Sequence, residues 1–290
     1  MPLLSVITCV LPGSSAWLRD AWRSLESQSL PIGWDWELLV QIDGEGALES
    51  DLPENDYRIR VARNTRSIGP AMSRNMALGR ASGSLIKPLD ADDVLPPGTL
   101  ARELDIFIQF PETGWVVSKT LDLRPDGTTV PNPLGMEPNE GPLSEGVVME
   151  TVLAWERHPG YPPPPTSRTD SEPNPWWVNV IEERAALGLQ SAPLHPAAIM
   201  ARTDLVVMLG GWPGVWSSED WGLLLALEAV SGGHFLRTPG LLYRAWPESL
   251  TASGKPEDPQ IDRIHQHFNR ARVEELRRWA AAEGRGLPQP

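Results

Sequence analysis

One cysteine, Cys9, is all the thiol chemistry that these 290 residues carry. A lone thiol excludes an intrachain disulfide framework and a cysteine-rich zinc cluster, and it fits a reducing compartment. Positive charge is also sparse: 25 Lys plus Arg face 38 Asp plus Glu, for a formal net charge of -13. The basic face that nucleic-acid recognition requires is missing, so no nucleic-acid partner is expected. Bound phosphates remain open, because a divalent cation can bring them onto carboxylates. No uninterrupted run of roughly 18 apolar residues occurs, so no membrane span is expected. The first apolar run, Leu3 to Leu11, is interrupted by Ser5 and Thr8, stops at Pro12 and follows no basic segment. It reads as a strand and not as a signal peptide, which points to a soluble cytoplasmic protein.

Proline and tryptophan are abundant instead, at 30 and 13 residues. The prolines imply long, stiff loops, and the tryptophans offer flat apolar surface to a core or a ligand cleft. The length suits one large domain, or one domain with an appendage.

The most informative stretch runs from Ser84 to Gly98. Leu85, Ile86 and Leu89 read as a short buried strand that ends in three acids, Asp90, Asp92 and Asp93, followed by a helix start at Pro96-Pro97-Gly98. Open α/β sheets bind ligands at the carboxyl ends of their strands. Carboxylates crowded there repel one another, and a hard cation carrying phosphate oxygens relieves the repulsion. Helix capping by Asp93 accounts for one acid but not for three.

Ahead of this stretch, Leu3 to Leu11 reads as a central parallel strand. Pro12-Gly13-Ser14-Ser15 turns the chain, with Ser14 or Ser15 expected to cap a helix bearing Trp17, Leu18, Ala21, Trp22 and Leu25 at helical spacing. Glu37 to Ile42 is a second strand ending in Asp43-Gly44, and Arg58 to Val61 is a third, followed by the basic loop Arg63 to Arg66. Gly69-Pro70 opens a helix that stops at Gly79 or Gly83. This order points to a mostly parallel, Rossmann-like sheet.

Behind it, a helix over Leu100 to Phe110 precedes a strand, Trp115 to Leu121, and a hairpin turn at Arg124 to Gly127. From Pro131 to Pro175 the composition changes; a helix over Val147 to Trp155 is followed by Pro162 to Pro165. This region reads either as an insertion that forms a lid or as a plain linker. Asp204 to Leu209 is a short helix closed by Gly210-Gly211. Ser217 to Asp220 precede an apolar helix, Trp221 to Val230. His234 to Arg237 and Leu241 to Arg244 are two short strands, and Pro259 to Glu283 is an amphipathic helix whose charges form a solvated face.

Four pieces thus stand in order: Ser5 to Ser15, Val40 to Gly44, Gly69-Pro70 with Arg74-Asn75 before Leu89 to Asp93, and Ser218 to Trp221. Together they resemble the inverting family 2 glycosyltransferases of the GT-A fold. The resemblance implies an α/β protein with a mostly parallel central sheet flanked by helices; the Pro/Trp-rich insertion and the C-terminal helix lie outside it. The chain is then expected to divide into a nucleotide-sugar-binding half (1–130), an insertion or lid (131–195), an acceptor-side half (196–255) and a helical tail (256–290).

It also implies roles. Asp92 and Asp90 would hold a divalent cation, Mg²⁺ or Mn²⁺, that neutralises the departing diphosphate, with Asp90 nearer the ribose. Val10, Leu11 and Pro12 would line the nucleotide base, Asp43 would accept a hydrogen bond from its edge, and Arg66 and Arg74 would contact base or diphosphate. Asp220 would be the general base, and Glu219 would bind donor sugar or acceptor. Gly211 and Trp212 resemble an acceptor-side turn, and Trp216 and Trp221 add apolar surface. The sequence departs from the family where a histidine is expected after Tyr243-Arg244; Trp246 stands there, leaving Arg244 a candidate for the charge role. His195 is a weaker candidate still, because a lone histidine is more often structural.

The expected activity is transfer of a sugar, hexosyl or pentosyl, from a uridine-diphosphate donor to a hydroxyl of a small soluble acceptor such as a natural product. Oligomerisation is left open. Two alternatives compete: nucleotidyl transfer on a related scaffold, against which the loop after the first strand lacks a basic residue, and a non-catalytic sugar-nucleotide-binding protein.

Overall fold

A computed structural model describes residues 1–11, 14–45, 52–53, 55–131, 138–156, 194–215, 218–244 and 259–282. The strongly β-branched first run forms strand β1, Leu3–Val10, buried on both faces. A single 3-10 turn, Ser14–Trp17, leads into helix α1, Leu18–Glu26. Trp17 occupies the cap position of α1 without a side-chain bond, and the side chains of Ser14 and Ser15 lie outside what the structure describes. Strands β2, Asp35–Ile42, and β3, Ile59–Arg63, follow, then helix α2, Pro70–Leu78, strand β4, Leu85–Pro88, and helix α3, Thr99–Gln109. Proline at the first position of α2 loses nothing, since that N–H has no partner inside a helix.

Strand β5, Trp115–Leu123, turns through Arg124–Gly127 into β6, Thr129–Pro131, as its Pro-Asp-Gly signal requires. Then come β7, Gly141–Pro142, and α4, Val147–Glu156. The chain resumes with β8, Ile199–Arg202, α5, Thr203–Met208, α6, Glu219–Val230, and β9, Gly233–Arg244. The two short strands expected at the end of the domain are one long strand, whose register against β5 slips between Ser118 and Thr120. The last helix is α7, Pro259–Ala282.

The sheet runs in the order β3-β2-β1-β4-β8-β5-β9-β7, with β6 paired to β5. Strands β3, β2, β1 and β4 are all parallel, so their carboxyl ends open on one edge. Strand β8 then enters antiparallel to both β4 and β5, while β5 and β9 are again parallel. The expected parallel sheet is therefore the first half of the molecule, and the second half is mixed. Inserting β8 from residues 199–202 is what brings the late part of the chain beside β4.

Helices flank this sheet, and β4 is locked from within. Lys87 and Glu103, both fully buried, pair at 2.8 Å, and Ser118 donates to Glu103 at 2.6 Å. The network joins β4, α3 and β5 and fixes the strand that ends in the acidic turn. Asp93 does not cap α3; Gly98, in the left-handed conformation, takes that position. The tail helix is docked on α6. Val273 is fully buried, and Arg277 pairs with Glu228 of α6 at 3.3 Å. Its charges are thus only partly the solvated face expected; Arg278 with Glu274 and Glu275 fits that description. No helix among the described residues is long and apolar enough to cross a membrane. Most of residues 131–195 lie outside the described residues, so the lid and linker readings are not distinguished.

Candidate active site

The site begins where β4 stops. Asp93 N–H closes a tight turn onto the Asp90 carbonyl at 3.1 Å, which crowds Asp90, Asp92 and Asp93 into four residues. Burial, then the neighbouring Asp92 and Asp90, push the Asp93 carboxyl well above its usual range. One Asp93 oxygen accepts the Arg244 backbone N–H at 2.9 Å, and the other is buried without a protein donor among the described residues. Arg244, at the end of β9, also donates Nε to the Asp92 carbonyl at 2.7 Å, reaches Asp20 at 3.1 Å and lies over the Trp17 ring at 4.0 Å. It therefore braces the acidic turn with its positive charge beside it. Trp246 lies outside the described residues.

Arg74 joins the two halves of the cleft. It projects from α2, is almost fully buried, and meets Asp90 at 2.7 Å, Glu219 at 2.9 Å and Asp220 at 3.1 Å. Residues from β4 and from the start of α6, 130 positions apart in sequence between Asp90 and Asp220, share this one guanidinium. Burial opposes its charge, yet Asp220, Asp90 and Glu219 outweigh burial and hold the Arg74 pKa well above its ordinary value. Asp220 sits in the first turn of α6, with 23% of its side chain exposed to the cleft. Burial pushes its pKa up to about 8, and Glu219 and Asp90 add to the rise, against the pull of Arg74 and of the Trp212 indole. The Trp212 Nε1–H donates to Asp220 at 3.0 Å.

Trp212 is itself clamped. Asn75, next to Arg74 on α2, accepts from the Trp212 N–H at 2.9 Å and donates to its carbonyl at 2.8 Å. Gly211 makes this possible: it has φ 73°, and a methyl group there would lie 2.2 Å from the Asn75 amide oxygen. The Arg-Asn pair thus acts through both members, one on the carboxylates and one on the loop that carries Trp212. Trp212 is fully buried, so it cannot offer a stacking face to an acceptor; it orients the carboxylate of Asp220 instead. Trp221 packs half-buried against the core, and Trp216 lies outside the described residues.

The expected base-binding residues separate. Val10 is fully buried in the core, which removes its side chain from contact with a base, while Leu11 is half-buried at the strand end and Pro12 lies outside the described residues. Asp43 is also fully buried, and its two oxygens accept five hydrogen bonds, from Asn64, Ser67, Ser73 and the backbone N–H groups of Ile68 and Gly69. Burial raises its pKa, but those donors prevail and lower it. An edge contact to a base would have to displace one of them; in this structure Asp43 ties the end of β2 to the loop before α2. Arg66 is exposed on that loop. Replacing Asp43 by alanine is expected to lower stability by about 2 kcal/mol, the order of leaving buried donors unpaired, measured by urea denaturation; an unchanged midpoint would contradict the tie.

Two further groups are placed. Burial pushes the Cys9 thiol up to about 12, so it is no nucleophile at neutral pH. His195 stacks on Tyr243 at 5.0 Å between ring centroids, and its Nδ1 accepts the Ala197 N–H. The neutral ring, with a pKa lowered to about 4 by burial, therefore carries its proton on Nε2 and has no lone pair there for a metal. Lys87, Asn75 and the indole of Trp212 were not legible as site-building groups in the sequence; the dipeptide Arg74-Asn75 was the available signal for Asn75.

No group of three or more acidic, histidine or cysteine side chains arranged to hold a metal occurs among the described residues. Asp92 and Asp90 fit a hard cation as oxygen ligands, with the remaining positions left to phosphate oxygens and water, as Mg²⁺ in particular prefers. The raised Asp93 pKa, driven by burial and then by Asp92 and Asp90, reflects how tightly the turn crowds its acids.

A parallel first half, an acidic turn at its strand end and a mixed half that returns a carboxylate to the same cleft match the GT-A fold. S. aureus TarS in complex with UDP-GlcNAc superposes with a TM-score of 0.59 at 18% identity, over 91% of this chain and 65% of that one. TarS in complex with UDP superposes with a TM-score of 0.54 over 86% of this chain and 62% of that one. This chain matches the Glycosyl transferase family 2 profile over residues 5–132. It is 32% identical over 114 residues to the putative teichuronic acid biosynthesis glycosyltransferase TuaG of Bacillus subtilis (strain 168), covering 37% of this chain and 43% of that protein. It is 31% identical over 116 residues to the O-antigen biosynthesis protein RfbC of Myxococcus xanthus, covering 38% of this chain and 9% of that protein. The chain thus spans less than half the length of these curated relatives.

Proposed function

We propose that this protein is an inverting glycosyltransferase that moves a sugar from a nucleoside-diphosphate donor, uridine-linked, to a hydroxyl of a small acceptor such as a natural product. The observation that carries the reading is the shared Arg74, which seats the acidic turn and Asp220 in one cleft. The acceptor hydroxyl gives its proton to Asp220 as its oxygen bonds to the anomeric carbon. The bond from that carbon to the donor diphosphate breaks on the opposite face, and the electron pair leaves with the diphosphate. A divalent cation on Asp92 and Asp90, when bound, neutralises that leaving group. Arg74 holds Asp90 and Asp220 apart from each other and in register, and Trp212 fixes the Asp220 oxygen it touches. The solved relatives support the donor class: TarS is found in complex with UDP and with UDP-GlcNAc.

Incubation with a panel of nucleotide sugars, with Mn²⁺ or Mg²⁺, should release UDP from at least one donor, with or without a hydroxyl acceptor. Release of a sugar phosphate with the nucleoside monophosphate retained on the protein side of the reaction would favour nucleotidyl transfer instead, and binding without turnover would favour a non-catalytic role. The pH profile follows from the raised Asp220 pKa. A base works only when ionised, so kcat/KM should rise about tenfold per pH unit on the acid side and level off near pH 8. A profile flat from pH 6 to 9 would exclude Asp220 as the group whose ionisation limits the reaction.

A further inference from the structure

The helix that carries Asp220 starts in an improbable way. Ser218 holds φ 61°, the one positive value among the described non-glycine residues, and its side chain makes no capping bond. An L-residue keeps this conformation only when its surroundings impose it. The surroundings are contributed by α7, outside the matched residues 5–132. Asn269, buried at 3% exposure, donates Nδ2 to the Ser218 carbonyl at 2.9 Å. The same carbonyl accepts the Gly222 N–H at 3.0 Å, the first turn of α6. The Asn269 amide oxygen is buried without a donor among the described residues, so the bond to Ser218 is the polar contact that the side chain makes there.

Space is shaped for this contact. A methyl group on Gly222 would lie 2.6 Å from the Asn269 amide oxygen and 2.6 Å from Pro213 Cγ. Pro213 follows Trp212, whose indole bonds Asp220. The first turn of α6 is therefore gripped on one side by the Trp212-Pro213 loop and on the other by Asn269.

We propose that Asn269 is a positioning residue for the reaction: by fixing the Ser218 carbonyl it sets the direction in which Glu219 and Asp220 leave the helix, which makes the C-terminal helix part of the catalytic unit. The inference rests on the reading of Asp220 as the general base. A misplacement of about 1 Å at a reacting group can slow turnover on the order of 100-fold, so a small rotation of this turn is enough to matter.

The test compares the protein with Asn269→Leu, which keeps the branched heavy-atom outline and loses the donor, and with Asn269→Asp, which sets a carboxylate against the Ser218 carbonyl. UDP release from UDP-GlcNAc gives kcat, donor KM and the pH profile, and hydrogen exchange reports the amides of residues 219–223. Asn269→Leu should lower kcat by roughly 10- to 100-fold with donor KM within about twofold, and should speed exchange in that turn while the rest of the sheet is unchanged. Asn269→Asp should in addition move the acid limb of kcat/KM to higher pH, because a new negative charge nearby disfavours ionisation of Asp220. Unchanged kcat, acid limb and local exchange in both variants, with only a lower Tm, would reduce Asn269 to packing and overturn the proposal. If local exchange responds but the wild-type protein turns over no nucleotide sugar, the glycosyltransferase reading has failed, and the base-positioning role falls with it.

Discussion

Arg74→Met should stop turnover, by more than about 100-fold, and destabilise the fold by about 3–5 kcal/mol, the range for removing one partner of a buried charge network. The side chain is 5% exposed and is shared by Asp90, Glu219 and Asp220. Without the guanidinium, three carboxylates face one another with no cation between them. Asp220, already raised to about 8 with Arg74 pulling it down, would rise further and be protonated throughout the neutral range. Arg74→Lys should fall between the two, because an ammonium is a point charge and cannot span three acceptors as the planar fork does. UDP release from the preferred donor measures the first effect, and urea denaturation measures the second. Arg74→Met with kcat within a factor of two of wild type would show that the shared guanidinium is dispensable, and the cleft as described would lose its organising charge.

Asp220→Asn separates chemistry from architecture. The amide keeps the shape and a hydrogen-bond acceptor for the Trp212 indole, but it cannot take a proton from an acceptor hydroxyl. Turnover should drop by roughly 10²- to 10⁴-fold, the usual range for a general base. UDP binding, followed by thermal shift with Mn²⁺, should be unchanged. Stability should not fall, and its pH dependence gives the sign. The Asp220 pKa is raised in the folded protein from 3.8 to about 8, so the native state binds the extra proton and loses stability as pH climbs through that window. The asparagine variant lacks this loss, and the gap between it and wild type should widen in its favour from pH 4 to pH 8. Full activity in Asp220→Asn would remove the base from the mechanism, whatever the state of the rest of the site.

The fold of the first half was written in local patterns. β-Branched runs, a proline at the start of α2 and the acids after β4 each act through neighbours close in sequence, so strand and helix positions followed from spacing alone. Asp90 was legible as one of three acids at a strand end, and Arg74 and Asp220 through the family resemblance. What spacing could not supply was the partner's identity. Asp43 seemed open to a ligand, and the structure surrounds it with five donors from between residues 64 and 73, more than 20 positions away; Trp212 seemed an acceptor surface and is a buried donor.

The amino-acid sequence by itself determined the elements, the acidic turn at the end of β4 and the residue types able to carry the chemistry, since these depend on propensity, periodicity and charge along the chain. Only the tertiary structure decided which of those residues meet. It inserted β8 beside β4, set Asp220 on the guanidinium that also holds Asp90, and brought Asn269 from the last helix onto Ser218. Contacts of that kind depend on distances between segments far apart in the chain, and no local pattern fixes such distances before the sheet has closed.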